Sequence, residues 1–296
     1  MMARSFQKLA WRGVATLRPE AGMGAEGPDY RSGSAGSAGL LLVTHGSQLG
    51  NDAAIGKLAK ALSPDFSEVA FCVLRGRPMP ADTLSGMSAS LIHVVPLLMA
   101  CGRVGGHVLR SLLPKAERPR LRLYPPIGGH PGLAALVCDG VNRVAEQNRA
   151  VPRQTAVILV GHGNERNPAS AAAVYHLASM VRARACTAAE VHCAFLSQPP
   201  LVERWRELTG RPDVIIVPCF LTIGAHVQLD LPALLRDDGT GCGSLAEMRR
   251  LWMTPPLATH WSGFADVIRD LATLSSERQE PFCETASEVD STRNGA

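Results

Sequence analysis

Histidines that follow apolar runs are the residues of this chain best suited to chemistry, and they occur in both halves. His45 and His162 each come directly after a short apolar run and are each followed by glycine. His107 and His226 lie in loops after a later apolar run of each half. Neutral imidazoles that share a cleft suit borderline divalent ions such as Co²⁺, Fe²⁺, Ni²⁺ or Zn²⁺, and they exchange protons near neutral pH. These four histidines are therefore candidate metal ligands, and His162 and His226 are also candidate acid–base groups.

The spacing of these motifs predicts two copies of one unit. The His-Gly pair recurs after 117 residues, the later apolar run ending in Val-Pro after 122, and a Pro-Pro turn with a following histidine after 130. This period is far too long for a solenoid repeat, so we expect two lobes, 39–150 and 151–275, each with its own core. The histidines of the Pro-Pro turns, His130 and His260, are favoured as polar or helix-capping residues over residues of a cleft.

Each half predicts strands that alternate with helices. Continuous runs rich in β-branched residues are typical of strands buried on both faces of a parallel sheet. The predicted second and third strands are 68–74, 91–97, 190–196 and 214–221, and the predicted helices are 52–62, 81–88, 133–147, 169–184, 201–209 and 263–274. The pattern predicts an α/β fold in which helices cover both faces of each parallel sheet. Ligands of such sheets bind beyond the carboxyl ends of the strands, where the histidine motifs fall.

Composition excludes several classes of protein. The formal charge of +4 comes from 30 scattered Lys and Arg residues, whereas nucleic-acid binders concentrate them on one face. No apolar stretch reaches the roughly 18 residues of a membrane span. The eight cysteines form no C-x-x-C motif and several lie in apolar runs, as reduced thiols do in cytosolic proteins. We expect a cytoplasmic monomer whose partner is an acidic small molecule, and neither a nucleic acid nor a membrane.

The two ends of the chain differ from the rest. Residues 1–38 end in a run of Gly, Ser and Ala, a composition that cannot bury enough apolar surface to order itself. Four basic residues between positions 4 and 18 are compatible with a transit peptide. Two glutamates shortly after them, at positions 20 and 26, favour a disordered extension instead. Residues 276–296 are polar and of mixed charge, which predicts a disordered tail.

The second half carries the more compact set of candidate site residues. Gly163 permits a sharp turn directly after His162, and Asn164 is available to cap the element that follows. His226 lies eight residues after Pro218, in a loop that leaves the third strand. If the first and third strands are neighbours in the sheet, both imidazoles emerge at the same edge. A lone histidine at a strand end is more often a satisfied polar residue, but the duplication of the pattern favours a site.

Taken together, these motifs resemble a known family, the sirohydrochlorin cobalt-chelatases and ferrochelatases, which are class II chelatases of the CbiX and SirB type. The resemblance covers about residues 39–275 and is carried by His-Gly-Asn-Glu-Arg-Asn-Pro at 162–168, Ala-Phe-Leu at 194–196, Val-Pro-Cys-Phe-Leu at 217–221 and Gly-Ala-His-Val-Gln-Leu-Asp-Leu-Pro at 224–232. It implies two chelatase-like lobes with the site in the cleft between them. It also implies that His162 and His226 are the histidines of the metal-insertion site, with His45 and His107 as their counterparts in the first lobe.

The reaction implied by the resemblance is the insertion of Co²⁺ or Fe²⁺ into sirohydrochlorin, on the route to cobalamin or siroheme. A free tetrapyrrole loses two pyrrole protons as the metal enters, which calls for a neutral base such as histidine, and the rate should fall as histidine becomes protonated. The metal is a substrate, and no phosphate-cradling glycine loop suggests a nucleotide. Asn164, Arg166 and Ser197 are the expected tetrapyrrole contacts, with Arg103 and Arg204 as further cations for its carboxylates.

Departures from the family pattern leave a second function open. Ser197 stands where the family commonly carries a glutamate, and the corresponding stretch of the first half is Val73-Leu74-Arg75. The second lobe is therefore the better candidate for a working site, and the alternative is a non-catalytic two-lobed protein that binds a tetrapyrrole or metal. A histidine phosphatase is disfavoured because no arginine precedes either His-Gly pair. A dinucleotide-binding fold is disfavoured because no G-x-G-x-x-G follows the first strand of either half.

Overall fold

The computed structural model describes residues 38–46, 51–100, 108–184, 186, 188–221, 230–235, 249–257 and 261–274. The two predicted disordered ends, apart from residue 38, lie outside the described residues. So do His107, His226, His260 and Arg103. None of the described helices is long and apolar enough to cross a membrane.

The described part of the chain contains eight strands and eight α-helices, together with short 3-10 turns. The first half contains β1 (Gly39–Thr44), α1 (Asn51–Leu62), β2 (Glu68–Val73), α2 (Pro80–Ser85), β3 (Ile92–Pro96), α3 (Leu109–Leu112), β4 (Leu121–Leu123) and α4 (Pro131–Gln147). The second half contains β5 (Thr155–Gly161), α5 (Ala169–Arg182), β6 (Glu190–Phe195), α6 (Trp205–Leu208), β7 (Asp213–Pro218), α7 (Leu231–Leu234), β8 (Arg250–Met253) and α8 (Trp261–Leu274). Most predicted elements are present within a few residues of their predicted bounds. The exception is the helix predicted at 201–209, which is a 3-10 turn at Val202–Arg204 followed by α6.

Each half forms its own four-stranded parallel sheet with the same strand order. The orders are β2-β1-β3-β4 and β6-β5-β7-β8. The first and third strands of each half are direct neighbours, with Val43 opposite Pro96 and Val160 opposite Pro218. The predicted pair of helix-flanked parallel sheets is thus confirmed. The second strand lies on one side of the first strand and the third strand lies on the other, so the strand order reverses between the first and third strands. Open α/β sheets bind their ligands at such a point.

The hydrophobic core differs from the two separate cores that the repeat predicts. One sheet face of each half packs within its own half, around Leu84 and Leu109 in the first and around Val202 and Trp205 in the second. The other faces belong to one continuous buried cluster that includes both central strands and helices α1, α4, α5 and α8. Parallel sheets need cover on both faces, and here that cover on one side is shared between the halves.

Helices α4 and α8 cross from one half to the other. Helix α4 packs against α5 and β7 of the second half, and α8 packs against α1 of the first half. Arg269 of α8 fixes the second contact, because its guanidinium pairs with Asp65 at 2.8 Å and donates to the carbonyl of Ala61 at 2.8 Å. The final helix of each repeat therefore completes the other repeat.

A close backbone contact fixes the turn after β4 against the segment after β3. The amide of Gly128 donates to the carbonyl of Leu98 at 3.0 Å. A Cβ placed on Gly128 would lie 2.0 Å from the carbonyl oxygen of Met99 and 2.4 Å from its Cα. Only glycine fits this position, because the obstacle is backbone and cannot turn aside. This contact sets the start of the loop that carries His107.

We therefore predict that Gly128→Ala lowers the free energy of unfolding by about 1–3 kcal/mol, the usual cost of overpacking. The adjacent Gly129→Ala is the matched control, because a Cβ there meets nothing within 4 Å. The control should be neutral or slightly stabilising. Urea denaturation followed by circular dichroism measures both, and equal effects of the two substitutions would contradict the proposed contact.

Candidate active site

His162 occupies an exposed turn at the carboxyl end of β5. The ladder between β5 and β6 continues past the ends of both strands, since Leu196 donates to the carbonyl of Gly161 at 3.1 Å and Ser197 donates to the carbonyl of His162 at 2.9 Å. These two bonds hold the backbone of His162 beside that of Ser197. The histidine is thus placed by the sheet itself, at the edge predicted from the sequence.

The hydrogen bonds of the imidazole assign its tautomer. His162 Nδ1 lies 2.8 Å from the carbonyl oxygen of Gly163. A carbonyl can only accept, so Nδ1 carries the proton in this contact, and the lone pair of the neutral ring is on Nε2. Ser197 Oγ lies 3.4 Å from the same Nδ1. A ring held in this way can receive a proton or a metal ion at Nε2.

Gly163 is required by the shape of this turn. Its φ of +72° lies in the left-handed region, and a Cβ would stand 2.6 Å from Cγ of Gln198 and 2.9 Å from Cβ of Phe195. Gln198 also accepts a hydrogen bond from the amide of Asn164 at 2.6 Å. Gln198 is a positioning residue that the sequence analysis missed, because nothing in the local pattern shows that it reaches back across the two strand ends.

Asn164 shapes the turn, but it does not cap helix α5 as expected. Its Oδ1 accepts a hydrogen bond from the amide of Arg166 at 2.9 Å, which is an Asx turn. Asn167 instead accepts from the amide of Ala169, the first residue of α5, at 3.1 Å. Helix α5 begins at Ala169, as the sequence predicts, so its N-cap position is Pro168 and lies four residues beyond Asn164. Asn164 and Arg166 are both exposed close to His162.

The first half repeats the turn with one chemical difference. Gly46 has a φ of +101°, and Arg75 donates its amide to the carbonyl of His45 at 3.1 Å. This bond corresponds to the one between Ser197 and His162, so Arg75 takes the place of Ser197. Both His45 and Arg75 are exposed. The first half thus has an arginine at the position where the second half has the serine whose hydroxyl contacts the histidine ring.

The loops that carry His107 and His226 begin beside these turns. The amide of Cys219 donates to the carbonyl of Val160 at 2.8 Å, and Leu97 makes the equivalent bond to Val43 at 2.7 Å. The chain after β7 therefore leaves the sheet next to the end of β5. His226 and His107 lie beyond the described residues, so their positions in the site stay a prediction. In the described part of the chain, no three His, Cys, Asp or Glu side chains form a group that could hold a metal ion.

Comparison with known proteins supports the fold and defines the family. The sequence profile of the CbiX family matches residues 39–144 and 156–273, which together make up most of the chain. The chain belongs to the CbiX family. The two matched segments also coincide with the two halves of the repeat.

Relatives of this CbiX-family chain include a probable sirohydrochlorin cobaltochelatase of Halobacterium salinarum. It is 23% identical over 224 residues, which cover 65% of this chain and 75% of the relative. Among solved structures, a Deinococcus radiodurans multi-domain protein similar to chelatases matches with a TM-score of 0.65 and 22% identity, over 82% of this chain and 56% of its own. SirB from Bacillus subtilis with Fe³⁺ matches with a TM-score of 0.61 and 19% identity, over 81% of this chain and 98% of SirB. These structural likenesses establish the fold.

Two other predicted polar residues of the CbiX-family chain have structural partners. Arg204, expected among the cations for the tetrapyrrole, pairs with Glu207 at 2.8 Å on an exposed surface. His130 caps α4, because its Nδ1 accepts from the amide of Gly132 at 3.1 Å, and its Nε2 faces Asp270 of α8 at 3.4 Å. Of the two roles favoured from the sequence, a polar or a helix-capping residue, His130 has the second. Pro131 follows it as the first residue of α4, a position that suits proline.

A cavity of about 580 Å³ lies between α4 and α8. It is lined by His130, Asp139, Arg143, Asp266 and Asp270, among others, and it does not include His162. The cavity is therefore separate from the candidate active site at His162.

The buried cap at His130 predicts a pH dependence of stability. Burial lowers the pKa of His130, and Asp270 only partly opposes this effect. In the unfolded chain the imidazole takes up a proton near its ordinary pKa of about 6.5, before the folded chain does. Stability that is present above that pH is then lost as the pH falls below it.

We predict that His130→Asn reduces the loss of stability between about pH 7 and pH 5 relative to the parent protein. Asparagine retains an acceptor for the helix amide but does not titrate. Thermal unfolding measured at a series of pH values tests this prediction. An unchanged pH dependence would show that His130 is not one of the groups responsible, leaving the buried His93, whose pKa is also lowered by burial, as the remaining described candidate.

Proposed function

We propose that the protein is a chelatase that inserts Co²⁺ or Fe²⁺ into sirohydrochlorin without a nucleotide. The observation that carries the proposal is the placement of His162 at the carboxyl edge of β5, with Nδ1 directed to a carbonyl so that the lone pair of the neutral ring is on Nε2. The name of the Halobacterium salinarum relative, a probable sirohydrochlorin cobaltochelatase, supports the choice of substrate. The metal is a substrate of this reaction, and no resident cofactor is proposed.

In this proposal His162 acts as a base for the pyrrole nitrogens. Metal insertion releases two protons, and Nε2 of His162 accepts one of them as the ion approaches. The carbonyl of Gly163 then stabilises the resulting imidazolium through its contact with Nδ1. His226 is proposed as the second base and as a guide for the ion, because its loop leaves the sheet beside β5.

The acidic periphery of the macrocycle calls for cations near the turns. Arg166 is proposed to meet one carboxylate, since it is exposed four residues after His162. Arg75, beside His45 in the first half, is a second cation at the equivalent position. Asn164 and Ser197 are proposed as neutral contacts to the same substrate. None of the five described cysteines forms a disulfide, which is in keeping with the further proposal of a reducing cytoplasmic location. The proposal of a monomer rests on the sequence expectation alone.

The two halves should contribute unequally to the reaction. We predict that His162→Ala lowers the rate of metal insertion by about 10²–10⁴-fold, the usual contribution of an acid–base group. His45→Ala should lower it less, because the described part of the first half has no counterpart of the contact between the Ser197 hydroxyl and the Nδ1 atom of His162. The rate is followed by the change in the absorbance spectrum of sirohydrochlorin after Co²⁺ or Fe²⁺ is added. An equal or reversed ranking of the two variants would contradict the assignment of the working half.

Ser197 offers a test of how the histidine is tuned. A carboxylate at this position would accept the Nδ1 proton more strongly than the hydroxyl, which lies 3.4 Å from Nδ1, and would make the ring more basic. We predict that Ser197→Glu leaves the insertion rate unchanged or raises it. Ser197→Gln is the matched control, because glutamine has the length of glutamate but carries no charge. It should give no increase in the insertion rate. A fall in rate with Glu but not with Gln would overturn this role.

One observation favours a second candidate function. Ser197 places a hydroxyl beside His162, where a carboxylate would supply a further base. The second candidate is therefore a protein that binds a tetrapyrrole or a metal without inserting one into the other. Binding is measured by the quenching of sirohydrochlorin fluorescence, and insertion by the absorbance change with metal. Binding with an unchanged spectrum for both metals between about pH 6 and pH 9 would replace the chelatase proposal with the carrier.

A further inference from the structure

Two cysteines from different halves of the chain meet beside helix α4. Cys138 lies in the middle of α4 and is 6% exposed. Cys186 follows α5 in the second half and packs against the shared core cluster that contains Cys138. The side chains of the two residues are hydrogen-bonded to each other. This contact joins the two repeats at a point remote in sequence from both histidine turns.

The backbone of Cys186 makes two local hydrogen bonds. Its amide donates to the carbonyl of Arg184 at 2.8 Å, and its own carbonyl accepts from the amide of Ala188 at 2.7 Å. Arg184 in turn reaches the carbonyl of Pro131, at the start of α4, at 3.4 Å. The segment that carries Cys186 is therefore fastened to the same helix that carries Cys138.

The environment of Cys138 differs from that of the other described buried cysteines. Burial raises the pKa of Cys193 to about 11, and it raises the pKa values of Cys72 and Cys219 further still. For Cys138 the hydrogen bond from Cys186 outweighs burial and lowers the pKa, and the charge of Arg184 acts in the same direction. Because the thiolate is the nucleophilic form of cysteine, Cys138 is the most activated of these buried thiols.

We propose that Cys138 and Cys186 are an oxidation site, at which a small peroxide converts the two thiols into a disulfide that joins the two halves of the chain. The thiolate of Cys138 attacks one peroxide oxygen, the O–O bond breaks, and a sulfenic acid and hydroxide result. The sulfur of Cys186 then attacks the sulfenic sulfur, and the sulfenic hydroxyl leaves as water with the thiol proton of Cys186. The proton released when the thiolate of Cys138 formed converts the hydroxide to the second water. The two thiols lose two electrons in total, and hydrogen peroxide is reduced to two molecules of water.

Formation of the disulfide brings the two sulfur atoms from a hydrogen-bonding contact to bonding distance. Thiols in hydrogen-bonding contact must approach to about 2.05 Å to form the bond. Because α4 belongs to the first repeat and Cys186 to the second, the bond would fasten the shared face of the core. It would restrict the unfolded chain across the linker between the repeats, which raises thermal stability.

The full-length protein, reduced and freed of reductant, is the starting point for the test. It is treated with a small molar excess of hydrogen peroxide, alkylated, and digested with trypsin and a glutamate-specific protease. The second protease is needed because Cys186 and Cys193 share one tryptic peptide, which is divided after Glu190. Mass spectrometry then identifies any peptide pair that has lost two hydrogens. Thermal unfolding of the oxidised and reduced forms is measured in parallel.

We expect a cross-linked peptide pair of Cys138 and Cys186, together with a rise in Tm that a reductant reverses. Cys186→Ser should abolish the cross-link and leave a sulfenic acid on Cys138 that dimedone traps. Cys193→Ser, the matched control at a buried cysteine outside the pair, should leave the cross-link unchanged. Alkylation of both Cys138 and Cys186 after peroxide treatment, or separate oxidation of each without a cross-link, would overturn the proposal. These outcomes are independent of the proposed chelatase activity, because neither cysteine belongs to the histidine turns.

Discussion

The need to cover both faces of each parallel sheet determines how this molecule is built. Strands β1 and β5 are buried along their whole length, so each sheet requires apolar cover on two sides. On one side each half supplies its own, and on the other the halves share a single cluster to which α4 and α8 contribute. The exchange of these helices makes the halves one folding unit on that side. This cover buries β1 and β5, and the exposed residues His45 and His162 follow directly after them.

The candidate site follows from what happens where those strands end. Beyond β5 the backbone hydrogen bonds to the segment after β6 continue for two more residues. The turn at His162 is therefore fixed by the same kind of bond as the strand before it. Gly163 allows the reversal, and Gln198 and Ser197 fill the space around it. The same arrangement of backbone at His45 shows that the turn belongs to the fold. The side chains placed around it, a hydroxyl in one half and a guanidinium in the other, distinguish the two halves chemically.

Much of this organisation could be predicted from the sequence, because its signals are local. Apolar β-branched runs marked the strands, and the repeated motifs predicted two sheets of equal topology. The exchange of α4 and α8 could not be predicted, since an amphipathic pattern shows that a helix has a buried face but not which sheet it covers. The contact of Ser197 with His162 and the pairing of Cys138 with Cys186 are likewise tertiary. The division of the helix predicted at 201–209 also escaped the pattern, because its apolar residues face the core in both conformations.

The shared core face has a consequence for how the two repeats could diverge. A single copy of the repeat would expose that face and would have to associate with an identical copy, exchanging its last helix with its partner. In such a symmetric pair every substitution appears twice, so both turns must carry the same neighbour. Fusion of the copies replaces concentration-dependent association with a tether, and each turn can then change alone. The presence of Arg75 at one turn and Ser197 at the other is an asymmetry that only the fused chain can encode.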